Sequence, residues 1–309
     1  MTDVVDPSLL LQPSNGKVVN VASVPKRSPF RYPGGKTWLV PHVRRWLNSL
    51  ATLPGEFHEP FAGGGIISLT VAFERLAAHV TMVELDSQVA AVWHTILTDA
   101  GGAEWLAQRI LTFEPTLGNV QALLAEPPAS TREQAFQIIV KNRTFHGGIL
   151  APGSAPIKYG ENGKGIASRW YASTLVRRIR EIATVRHRIT FIEGDAFSVM
   201  TAQGGQRHAA WFIDPPYTAA GKKAGSRLYT HFELDHNHLF DVAAALSGHF
   251  LMTYDNASEI RQMAQERGFD TKLVAMTNTH HATMSELLIG RDLKWVQQDW
   301  KNLPLFGGA

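Results

Sequence analysis

"FHEPFAGGGIISLTVAFERLAAHVTMVELD", residues 57–86, decides how the rest of the chain is read. A short apolar run ending at Phe61 reads as a strand, Gly63, Gly64 and Gly65 as a turn, "IISLTVAFERL" as a helix and "VTMVEL" as a second strand. Strand, tight turn, helix and strand make a βαβ unit, so the fold class is α/β with a largely parallel sheet. The glycines let a ligand approach the backbone and meet the helix N-terminus. They depart from the dinucleotide fingerprint, which would place its third glycine where Ser68 stands. Glu84 ends the second strand about 20 residues on, where an acid commonly grips the two hydroxyls of an adenosine ribose.

Working outward, the texture after residue 87 becomes helical only, with pieces at 87–98, 102–112, 117–125 and 131–141. Residues 144–166, rich in Gly, Pro, Ser and Lys, read as a loop or loose hairpin, and a basic helix follows at about 168–185. Strand signals return in "ITFIEGD", "AAWFIDPPY", "HFLMTYDN", "DTKLVAMTN" and "SELLIG", with helices at 235–246 and 257–267. The last two strands leave no room for a helix between them and should form an antiparallel hairpin. The expected organisation is a flexible leader over 1–29, a catalytic α/β domain made of 30–87 and 188–309, and a helical insertion over 88–187.

Charge marks that insertion out. Between Lys141 and Arg188 stand ten Lys or Arg against two acids, Glu161 and Glu181, an excess of +8 in a chain whose net charge is +3. Such a concentration suits a polyanion such as nucleic acid. The 309 residues contain no cysteine, which removes disulfides, thiolate nucleophiles and cysteine-ligated metal sites, and fits a cytoplasmic location. No apolar run approaches the roughly 18 residues that cross a bilayer, so no membrane partner is expected. His236 and His238 face apart at i and i+2 on a helix, and with His280 and His281 they lack a matched acid cluster, so no metal site is expected.

The sharpest stretch is "AAWFIDPPYTAAGKK", residues 209–223. Apolar residues deliver Asp214 to the end of a buried strand, and Pro215 and Pro216 stiffen the exit while removing two backbone donors. Carboxylate and proline carbonyls are therefore acceptors with no competing donor, and Tyr217 adds a flat ring. That set suits a planar ligand offering an amino group, as a nucleobase does. Asp195, in "FIEGDAF", ends a third strand at the same edge, able to accept from an adenine amino group or to cap the helix that follows. "FRYPGGKTWL", residues 30–39, ends like a phosphate loop but has Phe30 where that loop needs its first glycine.

"FRYPGGK", "EPFAGGG", "VELD", "KNRTFHGG", "GDAF", "DPPY" and "MSELLIG" occur in the order seen in the Dam-like DNA adenine methyltransferases, and the chain resembles that family over residues 30–290. The resemblance implies a Rossmann-like methyltransferase sheet with an antiparallel C-terminal hairpin, S-adenosylmethionine as cofactor, and methylation of the exocyclic amino group of a flipped adenine in double-stranded DNA. It implies that Tyr32, Gly35 and Lys36 fold over the cofactor, that Phe61, Gly63 and Gly65 line its methionine side, that Glu84 meets the ribose and Asp195 the adenine. Asp214, beside the cofactor, with Pro215, Pro216 and Tyr217, would form the catalytic corner. Lys141, Asn142, Arg143, Arg169, Arg177, Arg178 and Tyr229 are the candidate DNA contacts. A restriction endonuclease partner is compatible with this family, and a monomer is the expected state.

The chain departs from the family at His146, Gly147 and Gly148, where an aromatic-Asn-Gly turn often stands, so a GATC target does not carry over. The alternative is an RNA adenine methyltransferase on the same fold. A dinucleotide oxidoreductase would leave Asp214 to Tyr217 without a task.

Overall fold

A computed structural model of the protein describes residues 24–31, 35–160, 163–216, 234–277 and 283–297. Tyr32, Tyr217, Tyr229, His280 and His281 lie outside the described residues. The sheet has seven strands: β1 (Glu56–Glu59), β2 (His79–Glu84), β3 (Ile189–Glu193), β4 (Ala209–Ile213), β5 (His249–Asp255), β6 (Asp270–Thr277) and β7 (Thr283–Gly290). Their order is β3-β2-β1-β4-β5-β7-β6. The pairs from β3 to β5 are parallel, and β7 runs antiparallel to both β5 and β6. This is a Rossmann-like sheet, parallel through its first five strands and closed by the expected antiparallel C-terminal hairpin. The strand order turns back between β1 and β4, and a crevice outside the carboxyl ends of the strands at such a point is where open α/β sheets take ligands.

Ten α-helices accompany the sheet: α1 (Val40–Ser49), α2 (Ile66–Glu74), α3 (Ser87–Trp93), α4 (Gly102–Thr112), α5 (Leu117–Ala125), α6 (Thr131–Thr144), α7 (Ala172–Val185), α8 (Ala196–Gln203), α9 (His236–Ala245) and α10 (Ser258–Glu266) among the described residues. Side chains alternate across the strands, as a period of two requires. On β4, Ala210 and Phe212 enter one core with Phe57, Leu69 and Met82, while Trp211 and Ile213 enter another with Leu239, Phe240 and Ile260. Both faces are covered, which is why "AAWFI" is apolar throughout rather than alternating.

Three sequence expectations change. β1 stops at Glu59 because Pro60 has no N–H for the ladder, leaving Phe61 in the turn. The basic helix starts at Ala172, after a 3-10 turn over Gly165–Arg169. Residues 24–29, read as the end of a loose leader, pack against the body: Val24 is buried in the first core and Arg27 pairs with Glu74 at 3.1 Å. The helices of the 88–187 insertion also share that core, since Trp93, Ile96, Leu106, Ile139 and Ile179 bury together with the β1 and β2 side chains. The insertion is a helical layer on the sheet. No helix among the described residues is long and apolar enough to cross a membrane.

Candidate active site

The carboxyl edge of the parallel strands carries a row of acids. Glu59 ends β1, Glu84 ends β2, Asp195 follows β3 and Asp214 follows β4. Parallel register aligns them, with Glu59 opposite Met82 and Glu84 opposite Glu193. Gly63 and Gly65 hold positive φ of 48° and 61° in the turn beneath. A Cβ on Gly65 would stand 2.6 Å from Met82 Cε and 2.9 Å from Trp93 Cζ2, so only glycine fits there. Trp93 belongs to α3 and donates its indole N–H to the Gly63 carbonyl at 2.9 Å. The helical layer thus fixes the glycine turn.

Glu84 closes the turn from the other side. Its Oε2 accepts the Gly63 N–H at 2.8 Å and its Oε1 the Asp86 N–H at 2.9 Å. Burial pushes its pKa up to about 7 against those hydrogen bonds. Both carboxylate oxygens carry a backbone partner and each has a lone pair left for a hydroxyl donor. The Gly194 N–H donates to the Glu84 carbonyl at 3.0 Å, bringing the Asp195 loop alongside. Asp195 Oδ2 caps α8, accepting from the Ser198 N–H at 2.8 Å and the Ser198 hydroxyl at 2.9 Å. The helix-cap reading of Asp195 describes what this side chain does in the structure.

Glu59 was not singled out by the sequence pattern, although it stands within "EPFAGGG". Buried at the end of β1, it accepts the Ser68 N–H at 2.8 Å. Burial drives its pKa up to about 8, and the nearby charges of Asp214 and Glu84 push the same way. A carboxyl with a folded pKa above its unfolded value stabilises the fold fully below the unfolded pKa and loses that contribution as pH rises through the folded one. Its loss therefore falls between about pH 4.5 and 8. Glu59→Gln should make urea stability fall less between pH 5 and pH 8 than it does in wild type. Two parallel pH profiles would refute that placement of the proton.

Asp214 sits at the centre of a polar network. Its Oδ1 accepts from the Thr253 hydroxyl at 2.8 Å and lies 3.1 Å from Lys36 Nζ. Lys36 also pairs with Glu286 at 2.8 Å, and both side chains of that pair are almost fully buried. Burial opposes the Lys36 charge, but Asp214 and Glu286 outweigh it and hold the ammonium above its ordinary pKa. The side chain of Asp214 keeps 19% of its surface exposed. Pro215 is buried and Pro216 half-buried beside it. Behind the strand, Tyr254 is buried with its hydroxyl 2.9 Å from His236 Nδ1. Burial, then the Asp214 charge, raises its pKa, so it stays a neutral phenol. Gly35 and Lys36 precede the turn Thr37–Leu39 that opens α1, so "FRYPGGK" delivers a cation to Asp214.

Thr253 and Glu286 are the members of this network that the sequence reading missed. A lone acid inside the apolar run "SELLIG" was the available signal, because a charge carried into a core needs a partner.

The candidate nucleic-acid residues divide. Asn142 is completely buried: its Oδ1 accepts the Arg31 N–H at 2.8 Å and its amide donates to the Arg31 and Gly148 carbonyls at 3.0 and 2.8 Å. Arg143 is 4% exposed and donates to the Pro29 carbonyl. These two hold residues 28–31 against α6 rather than facing outward. Lys141 Nζ donates to the Leu150 carbonyl at 2.7 Å. Arg177 is exposed and bridges to Glu181 at 3.0 Å, and Arg178 reaches the Ser28 carbonyl at 3.1 Å. Arg169, half-buried, ends the turn before α7. No cluster of three or more His, Asp or Glu able to hold a metal occurs among the described residues.

No protein-family model matches the sequence, and no curated protein does. Among solved structures, the rRNA methyltransferase of Streptomyces viridochromogenes is 14% identical over 84% of this chain and 86% of its own, with a TM-score of 0.37. A Pyrococcus horikoshii protein assigned as an RNA methyltransferase is 11% identical over 84% of each chain, with a TM-score of 0.38. A Listeria monocytogenes protein assigned to the class I S-adenosylmethionine-dependent methyltransferases is 8% identical over 91% of this chain and 64% of its own, with a TM-score of 0.37. Likeness at this level carries no argument about substrate or site residues.

Proposed function

We propose that the protein is an S-adenosylmethionine-dependent methyltransferase acting on the exocyclic amino group of adenine in duplex DNA. The observation that carries this reading is Asp214, held at the strand-order reversal by Thr253 and Lys36 with its side chain part-exposed at the carboxyl edge of the sheet. The donor set fits the cofactor. Glu84 stands at the end of β2 beside the glycine turn and retains acceptor capacity for ribose hydroxyls. When bound, S-adenosylmethionine supplies an electrophilic methyl group.

The residues of the chain then act by position. Asp214 and the Pro215 carbonyl accept hydrogen bonds from the adenine amino group, drawing its lone pair out of conjugation with the ring. With the cofactor held at Glu84 and the glycine turn, the amino nitrogen would take the methyl group as the sulfur leaves with the carbon–sulfur bonding pair, and Asp214 would guide the surplus N–H proton to water. Catalysis of this kind rests on orientation and on balancing charge that develops on nitrogen. The base must first leave the stack, at a cost of a few kcal/mol, and Tyr217 is the side chain proposed to stack on it. A site-specific enzyme of a restriction-modification pair would fit the same reading.

The test is transfer of labelled methyl from S-adenosylmethionine to duplex DNA, RNA or protein, with the product nucleoside identified. Methyladenine in DNA is expected. Label in RNA alone would overturn the DNA assignment and favour an RNA adenine methyltransferase.

A further inference from the structure

A carboxylate set inside the apolar strand β7 reaches the corner that Asp214 occupies. Glu286 is 4% exposed, on a strand inserted between β5 and β6, and the residues that follow it, Leu287, Leu288 and Ile289, are wholly buried. Its Oε1 meets Lys36 Nζ at 2.8 Å, and the same nitrogen lies 3.1 Å from Asp214 Oδ1. Lys36 thereby links the end of β4 to β7 across the intervening β5, and β5 adds the Thr253 hydroxyl to the same Asp214 oxygen at 2.8 Å. Two carboxylates around one ammonium leave a negative charge in surplus at this corner.

Stability does not call for the acid on β7. Taking a carboxylate and an ammonium out of water costs about as much as their attraction returns, and well-packed apolar side chains in the same space often hold a fold equally well. The charge that develops during methyl transfer does call for it. An ammonium turned wholly on Asp214 would neutralise that carboxylate and oppose the positive charge that grows on the substrate nitrogen. A second carboxylate against the same ammonium draws off part of its charge and fixes where it sits. Asp214 then takes its orientation from Thr253 and Lys36 and keeps its negative character through Glu286. We propose that Glu286 is a positioning residue for methyl transfer: it holds the Lys36 ammonium in place and shares its charge, so that Asp214 meets the substrate amino group as an anion. This rests on the reading of the protein as a methyltransferase with Asp214 at the reacting nitrogen.

The test is single-turnover methyl transfer by the full chain, at saturating S-adenosylmethionine and DNA and well below the unfolding midpoints. Glu286→Gln keeps the shape and removes the charge; it should slow transfer about thirtyfold while the dissociation constants of cofactor and DNA change less than about threefold. Glu286→Asp, which keeps the charge on a shorter arm, should be faster than Glu286→Gln by about fivefold or more. In a Lys36→Met background the sign reverses: Glu286→Gln should leave transfer unchanged or make it faster, because no ammonium remains to be shared and the two carboxylates repel. A fall of equal size in both backgrounds, or a wild-type-background fall of less than about threefold, would overturn the proposal. A second measurement involves no catalysis. In protein isotopically labelled at the lysine Nζ, the Lys36 ammonium, assigned by its absence from Lys36→Arg, should exchange slowly with water and give a resolved magnetic-resonance signal that Glu286→Gln abolishes. A signal untouched by Glu286→Gln would show that Glu286 does not hold the ammonium and would end the proposal. Failure of the functional reading looks different. Wild-type protein that moves no methyl group to any acceptor ends that reading, and the role in transfer with it, whatever the ammonium signal does; transfer to RNA alone leaves the same rates to be compared on RNA.

Discussion

Replacing Asp214 by alanine should lower single-turnover methyl transfer by roughly a thousandfold or more, while binding of S-adenosylmethionine changes only several-fold. The asymmetry follows from the placement of the side chain. Oδ1 is pinned by Thr253 and Lys36, so the carboxylate is held in one orientation beside Pro215. Removing the carboxylate takes away both an acceptor for the amino group and the charge that offsets the positive charge growing on nitrogen. Cofactor contacts are proposed to lie mainly on the neighbouring strands, at Glu84 and the glycine turn. Asp214→Asn separates the two contributions, because it keeps an acceptor oxygen and loses the charge. A turnover within tenfold of wild type for Asp214→Ala would remove this residue from the mechanism.

Lys36→Met should be the most destabilising change at the site. The ammonium stands between two carboxylates, 3.1 Å from Asp214 and 2.8 Å from Glu286, and Lys36 and Glu286 are nearly excluded from water. Breaking a buried ion pair by removing one partner typically costs about 3–5 kcal/mol, since an uncompensated charge remains. For a chain of this size that corresponds to a thermal midpoint lower by on the order of 10 °C. Glu286→Gln added to Lys36→Met should recover part of the loss, a coupling that a double-mutant cycle reads directly. If the double variant is less stable than Lys36→Met alone, Glu286 is not the acid that Lys36 neutralises.

Local patterns carried most of the fold. The glycine turn, the apolar "IISLTVA" and the doubly buried "AAWFI" each obey a rule that holds within ten residues, and the missing helix between the last two strands forced their antiparallel pairing. Glu84, Asp195 and Asp214 were readable for a similar reason, since a residue that ends a parallel strand sits at the carboxyl edge whatever its neighbours are; Glu59 escaped notice because the first strand was read as running on to Phe61. What could not be read was partnership across the sheet. Glu286 meets Lys36 only because β7 inserts between β5 and β6, with Glu286 in register with Asp255 at the edge that Asp214 shares. Asn142 and Arg143 looked like a surface motif for DNA, and they turn inward because α6 packs against residues 28–31, far away in the chain. Which segments become strands and helices, and that Glu84 and Asp214 reach the carboxyl edge, is written locally in periodicity and strand ends. Which charges neutralise one another is set by the packed chain, because Coulomb energy follows distance in space and not separation in sequence.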